Sequence, residues 1–495
     1  MLTSDSTLRS AAPVPGSEGA EGAEARSVET ATVLAGATLV EVHPPRMGKA
    51  DVLVRGAQIV QVGGTMPADA PRIDLEGCIL TPAFAVAHTH LYMSLTCGMP
   101  PPPVAPRTLA DSLQWVWWAL DRALDDELVH TSALVGAAMA AKAGVACLID
   151  LHSSPRAIDG SLDRVAAALD EVGLRGVLAY ETSDRDGRGR RDGGLSENRR
   201  FLEKVHKGTT AHRAHVGAHA LMTLNDDTLD ALRELSDAHG VGIHMHVAED
   251  LTDHLDAERT RKTSLAKRIE RLGIARKGSV VAHVVQLDTE AAQQMLQAGA
   301  SLVTNPRSNM AYGAGLCGAS GRSVALGTDG LDNDLLAEAR AYFLRHSEAR
   351  DGLARETGMR VAAGQELAGQ LFGDGGPPRI VPGSRADLVV LDYQAMTPLS
   401  PSNVIDHLAR GWTAAHVRDT MVGGRFVVRA RPPRPRRRFT AVGAHAGKHL
   451  TARALIRVGF SRYVPAQAWT RVPRAACGFP RAHVGGTSSG NHDVH

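Results

Sequence analysis

Apolar and polar positions alternate with a period of two soon after the start of the chain. From Ala31 the runs ATLVEV and DVLVRGAQIVQVGG read as half-buried strands, and Gly56 and Gly63-Gly64 punctuate them as turns of a small antiparallel sheet. Similar runs return near the other end, ADLVVLD after Pro382-Gly383 and then HVRDTMVGGRFVVR. Two β segments flanking a long middle predict that residues 30–80 and 380–430 fold together as one composite β-sandwich. Between them strand-like and helical stretches alternate. Strands are expected at 79–88, 145–151, 175–182, 215–221, 242–247, 279–283, 301–305 and 323–327, with helices such as SLQWVWWALDRALDDE, SLDRVAAALDEVG, NDDTLDALRELSDAHG and DTEAAQQMLQAG between them, the last capped by Asp288. Eight βα units over residues 81–379 predict an α/β protein of the (β/α)8 TIM-barrel class, a fold that places its chemistry at the C-terminal ends of the strands.

The two ends of the chain break the pattern. Residues 1–29 are rich in Ala, Gly, Ser and Glu without apolar periodicity and are expected to be a disordered extension. Residues 431–495 begin inside the basic run RARPPRPRRR (429–438) and lack helical periodicity, so a disordered or frame-shifted end is expected. Non-specific nucleic-acid binding by that tail is the weaker reading, because no aromatics interleave the cations of the basic run.

Composition narrows the class. An apolar content of 43%, a charged content of 22% and a net charge of +2 are ordinary for a soluble globular protein and give no general reason to expect nucleic acid or membrane as partner. The five cysteines are scattered, odd in number and without a C-x-x-C pair, which argues against a disulfide framework or a thiolate zinc site and suits a reducing cytoplasm. The N-terminus lacks the charged start and apolar block of a secretory signal, and no apolar run approaches the ~20 residues of a membrane span.

Candidate chemistry collects where strands should end. His88-Thr89-His90 closes the first barrel strand and directs two imidazoles to one side. About one such pair is expected by chance among 22 histidines, so its weight comes from the other strand ends. Strand five ends in His246 and Glu249, strand six in His283 and strand eight in Asp329. Neutral imidazoles and one carboxylate suit zinc and similar ions, and an open coordination position lets water lose a proton near neutral pH. His244 also fits H-x-H with His246 but lies deeper and reads as a core histidine. Trp115, Trp117 and Trp118 read as helix packing rather than a stacking platform. Asp150 and His152 end strand two, where contact with substrate and a capping role are equally open.

These motifs resemble the amidohydrolase superfamily, and within it the aminohydrolases that deaminate or dechlorinate aromatic nitrogen heterocycles. The likeness spans roughly 31–430 and rests on P-x-F-x-x-x-H-x-H at 82–90, H-x-x-E at 246–249, A-H at 282–283, N-P-x-S-N at 305–309 and G-T-D at 327–329. A narrower likeness to the SsnA group of aminohydrolases rests on HLYMSLTCGMPPPP, WVWWALDRALD and DLHSSPRAIDGSLD. The resemblance implies that His88, His90, His246 and Asp329 bind one divalent ion, zinc first and iron second. It implies that His283 and Asp329 take a proton from water, and that Glu249 passes it to the ring and the leaving amine. A binuclear site would need a carboxylated lysine on strand four, where this chain has His219, so one metal and a substrate-binding His219 are expected. Asn305 and Ser308 are further substrate-binding candidates, although turn chemistry alone could explain them. The implied activity is hydrolytic deamination of a purine-like or related heterocycle. Dechlorination or imino and amide C–N hydrolysis are the alternatives within the class, and a catalytically weak barrel serving as assembly partner is the alternative outside it. Pairing into a homodimer is implied by the family, whose closing helices the tail lacks.

Overall fold

The structure is a computed structural model that describes residues 31–374 and 379–429, so the expectations for 1–29 and 431–495 lie outside the described residues. Eight strands of the middle segment form two parallel sheets. The first holds β1 (Phe84–Thr89), β2 (Val145–His152) and β3 (Arg175–Tyr180), with the short strand Arg213–Ala214 at its edge. The second holds β4 (Val216–Ala220), β5 (Ile243–Val247), β6 (Val280–His283), β7 (Ser301–Thr304) and β8 (Val324–Leu326) in sequence order. Every residue of these eight strands but Arg175 is buried, as parallel strands covered on both faces must be.

The sheets meet at two seams, each marked by a single parallel bridge: Thr89 with Asp329, and Thr182 with Ala218. Asn198 does the work of a missing ladder at the second seam. Its Nδ2 donates to Tyr180 O at 2.8 Å and Gly217 O at 3.2 Å, while its Oδ1 accepts from Tyr180 N at 2.9 Å and Gly217 N at 3.0 Å. The approach is close enough that a Cβ on Gly217 would stand 2.2 Å from Tyr180 O. Side chains from both sheets share one buried cluster, Ala87, Ile149 and Val177 with Val280, Val303 and Ala325, against Ala363 and Leu367 of the helix Thr357–Phe372.

Two expectations need correction. The apolar run 79–88 is two strands, because Ile79–Pro82 pairs with Leu388–Leu391 and Thr38–Val42 in a sheet of the flanking segments. Hydrogen bonding changes partner at the next residues, with Ala83 N donating to Asp387 O and Phe84 N to Gly144 O. An uninterrupted apolar run carries no periodicity that could mark the break. The Trp-rich stretch 112–127 is likewise not one helix. It passes from Leu109–Ser112 through a wide turn at Leu113–Trp117 to Trp118–Asp121, and a new helix, Asp126–Lys142, starts where the Asp125 side chain accepts from Leu128 N. Asp288 caps Thr289–Gln297 as expected, accepting from Ala291 N at 2.7 Å.

The flanking segments build a six-stranded sheet, in spatial order Arg425–Arg429, Val417–Val422, Leu388–Leu391, Ile79–Pro82, Thr38–Val42 and Pro45–Lys49, and a four-stranded one from Ala31–Ala35, Val52–Arg55, Gln58–Val62 and Arg72–Asp74. Leu34, Val54, Ile59, Leu80, Leu388 and Val390 are buried together between them. Among the described residues no helix is long and apolar enough to cross a membrane.

Candidate metal centre and cleft

The chemistry sits where β1, β5, β6 and β8 end, and the backbone there is unusual. Ala248, His283, Val284 and Asp329 adopt left-handed conformations with φ of 51°, 72°, 45° and 52°. Non-glycine residues pay steric strain in this region, more so when β-branched, and such strain gathers at functional sites. Here it turns each chain just beyond its strand. His88, His246, His283 and Asp329 offer ligand atoms all within 4.8 Å of one another, and His90, Glu181 and His246 form a second such group.

Hydrogen bonds settle the tautomers of two of these rings. His90 Nδ1 lies 2.6 Å from Leu151 O and His246 Nδ1 lies 2.8 Å from His219 O. A carbonyl only accepts, so each Nδ1 carries a proton, and each Nε2 faces the cluster as the atom that binds a further proton or a metal ion. Those two Nε2 atoms face each other at 3.0 Å, with Asp329 Oδ1 3.1 Å from His90 Nε2. Lone pairs so close require positive charge between them, a proton or a metal ion. His88 Nε2 is buried, has no hydrogen-bond partner and points at Asp329 Oδ1 from 3.6 Å. The donor set of imidazole nitrogens and a carboxylate therefore fits a divalent ion, with each ligating ring oriented from behind.

Electrostatics agree. Burial lowers His88 to about 3 and takes His246 well below the usual imidazole range. Burial also opposes charge on His90, but Asp329 and Glu181 outweigh it and raise this ring to about 9. Burial would raise Asp329, yet contact with His88 and His90 carries its carboxyl well below the ordinary range. Burial raises Glu249, while the charge of His283 opposes the rise.

Several residues stand elsewhere than expected. Ser308 donates to Asp329 Oδ2, Asn309 Oδ1 takes the Nδ1 proton of His283 at 2.9 Å, and Asn305 Nδ2 lies 3.4 Å from the same ring. Asn305 and Ser308, expected to touch substrate, are buried against His283 and Asp329 and are not among the residues that line the cleft. The helix Pro306–Ala311 that begins at Asn305 sends their side chains back to the strand ends. His244 is buried, as read, but it is not inert core: its Nε2 lies 2.8 Å from His88 Nδ1. Asp150 accepts from Leu91 N at 2.7 Å, and His152 pairs with Ser154 at 2.9 Å.

A cleft opens over the cluster, lined by His90, His219, His246, Glu249, His283 and Asp329 together with Tyr92, Met93, Trp117, Trp118, Met222 and Glu181. Trp117 meets Tyr312 edge-on at 5.8 Å, and Trp118 meets His219 at 5.9 Å. Both rings line the cleft, and Trp117 also packs against the hydrophobic core, as helical spacing led one to expect. Glu181 was not singled out from the sequence, although it follows β3 just as His283 and Asp329 close their strands. Asking the strand-end question of RGVLAYE would have found it.

The family model described as the amidohydrolase family matches residues 79–364, more than half of the chain. A 5'-deoxyadenosine deaminase of Methanopyrus kandleri is 27% identical over 361 residues, covering 71% of this chain and 81% of that protein. A 5-methylthioadenosine/S-adenosylhomocysteine deaminase of Thermococcus onnurineus is 28% identical over 397 residues, covering 77% and 90%. Among solved structures, an adenosine deaminase from Xanthomonas campestris with bound zinc superposes with a TM-score of 0.70 at 22% identity, over 82% of this chain and 94% of that one. Guanine deaminase of E. coli gives 0.70 at 16% identity, over 81% and 100%. Likeness at these identities establishes the fold.

Proposed function

This chain belongs to the amidohydrolase family, and on that footing we propose that it is a metal-dependent hydrolytic deaminase of amino-substituted purine-like or related nitrogen heterocycles. The observation that carries the reading is the facing pair of Nε2 lone pairs on His90 and His246, 3.0 Å apart beside Asp329 at the floor of a cleft walled by two tryptophans. His88, His90, His246 and Asp329 would hold one divalent ion, zinc by preference and iron as the alternative. When bound, the ion supplies Lewis acidity that brings the ionisation of water towards neutral pH.

The remaining work falls to the side chains. His283 gives its Nδ1 proton to Asn309, which leaves Nε2 free to accept a proton from water, with Asp329 Oδ2 3.9 Å away as a second acceptor. Glu249 lines the cleft with Oε1 3.8 Å from His283 Nδ1, in position to carry the proton on to a ring nitrogen and then to the departing amine. The water oxygen bonds to the ring carbon, the exocyclic C–N bond breaks, ammonia leaves, and the ring keeps the oxygen as a carbonyl. His219 stands against the substrate, and Trp117 and Trp118 fit a planar ring. The names of the Methanopyrus and Thermococcus relatives favour an amino-heterocycle. Chloride displacement or acyclic C–N hydrolysis would use the same groups. The reading includes closure of the two sheets into a (β/α)8 barrel through their single-bridge seams, a composite sandwich beside it, a cytoplasmic setting and pairing of two chains.

Ammonia release from aminopurines, aminopteridines, aminopyrimidines and aminotriazines, with metal content determined on the same sample, is the test. Release that tracks one equivalent of metal is expected. A fully loaded protein that frees no ammonia from any ring sinks the deaminase assignment.

A further inference from the structure

One carboxylate in the cleft has no task in the reaction above. Glu181 is 4% exposed and lines the cleft, and its Oε2 has no hydrogen-bond partner. Two ring nitrogens stand nearest, His219 Nε2 at 3.6 Å and His90 Nδ1 at 4.0 Å. Neither supplies a donor. His90 Nδ1 already gives its proton to Leu151 O. The Thr223 hydroxyl gives its single hydrogen to Ala220 O at 3.0 Å, so it must accept the Nδ1 proton of His219 at 2.8 Å, and His219 Nε2 is left with a lone pair. Arg185, the cation at hand, hydrogen-bonds Asp121, Asp186 and Ser153 rather than Glu181. This flank of the cleft thus presents two unfilled acceptors, Glu181 Oε2 and His219 Nε2, beside one unpartnered donor, Trp118 Nε1, and a buried carboxylate left without a donor is costly enough to favour a ligand that brings an N–H to it.

The two carboxylates enter the cleft on different flanks of the cluster, Glu249 beside His283 and Glu181 beside His90 and His219. Resting on the deaminase reading, we propose that Glu181 determines specificity by accepting a ring N–H adjacent to the reacting carbon. The substrate class is then a cyclic acylguanidine, a 2-amino-4-oxo pyrimidine ring alone or fused as in guanine and pterin. Its amino carbon lies between a bare ring nitrogen and a ring N–H. The bare nitrogen faces Glu249, which protonates it, and the N–H faces Glu181. Adenine-like and cytosine-like rings fail this match, because the second neighbour of their amino carbon is a carbon atom. In adenine the next polar atom on that side is the N7 lone pair, which a carboxylate repels.

The full-length, metal-loaded enzyme is given guanine, isocytosine and pterin in one arm and adenine, adenosine and cytosine in the other, with ammonia release as the readout. The first arm is expected to show a kcat/KM about ten-thousandfold above the second, the scale on which a site built to hydrogen-bond one N–H rejects rings lacking it. Glu181→Gln is expected to lower kcat/KM for the first arm by about a hundredfold with unchanged metal content, and Glu181→Asp to recover part of it. Equal turnover of both arms by the unaltered enzyme overturns the inference without recourse to a variant. So does a ratio between arms that Glu181→Gln leaves untouched, or a fall from two metal equivalents to one in that variant, which would make Glu181 a ligand. Those results leave the deaminase reading in place, whereas silence of both arms with metal bound removes that reading and this inference with it.

Discussion

His244 decides how His88 can be used. Its Nε2 lies 2.8 Å from His88 Nδ1, and a metal on His88 Nε2 requires the proton on Nδ1, where His244 would accept it. Partners of this kind behind a ligand are typically worth about 10- to 100-fold in metal affinity. His244→Leu is therefore expected to weaken zinc retention by that factor in competition with a chelator, and an unchanged affinity would show that His88 is oriented by packing alone. Alternation along β5 makes it plain that residues 244 and 246 share a face. It does not reveal that one ring would bond to the other strand's histidine, since that contact joins residues 156 positions apart.

At the scale of elements, what matters is how strand ends and seams are held. Asn198, on the helix Arg188–His206, satisfies four backbone groups of β3 and β4 where the ladder is interrupted. Asn198→Ala would orphan them and is expected to cost about 3 kcal/mol in urea unfolding; a loss under about 0.5 kcal/mol would mean that water replaces the amide. Asp253 performs the corresponding service for the turn that carries Glu249, accepting from Ala248 N at 2.8 Å and Met222 N at 3.0 Å. Burial raises this carboxyl from 3.8 to about 6 despite those bonds. A carboxyl raised on folding binds a proton more tightly in the native state, so its contribution is full below 3.8 and is lost as the pH climbs through about 6. Asp253→Asn cannot titrate. Its unfolding temperature relative to the parent is expected to rise with pH across that window, and a constant difference would contradict the assignment.

On the scale of the molecule, the candidate ligands come from both sheets: His88 and His90 from the end of β1, and His246 and Asp329 from the ends of β5 and β8. An ion held there would cross-link the two sheets at the β1 and β8 seam, where strand pairing is reduced to one bridge. Binding to the folded state alone stabilises it by about 4 kcal/mol when free ligand exceeds Kd a thousandfold. Chelation should accordingly lower the thermal midpoint by several degrees, and re-addition of zinc should restore it. A midpoint indifferent to chelator, with metal shown to be removed, would detach the cluster from the cohesion of the fold.

The chain by itself determined most of the order and type of its elements, because burial on both faces writes a parallel strand as a short apolar run and an amphipathic helix as a 3.6-residue stripe. It also marked His88, His90, His246, His283 and Asp329, because a strand end is a local feature and these side chains break an apolar run in a way that propensity does not explain. The tertiary structure alone decided the rest. The break at Ala83, the supporting place of Asn305 and Ser308, the tryptophan walls and the donorless carboxylate of Glu181 depend on which residues distant in sequence come within hydrogen-bond reach. Periodicity reports whether a side chain is buried, and only the packed chain settles what it is buried against.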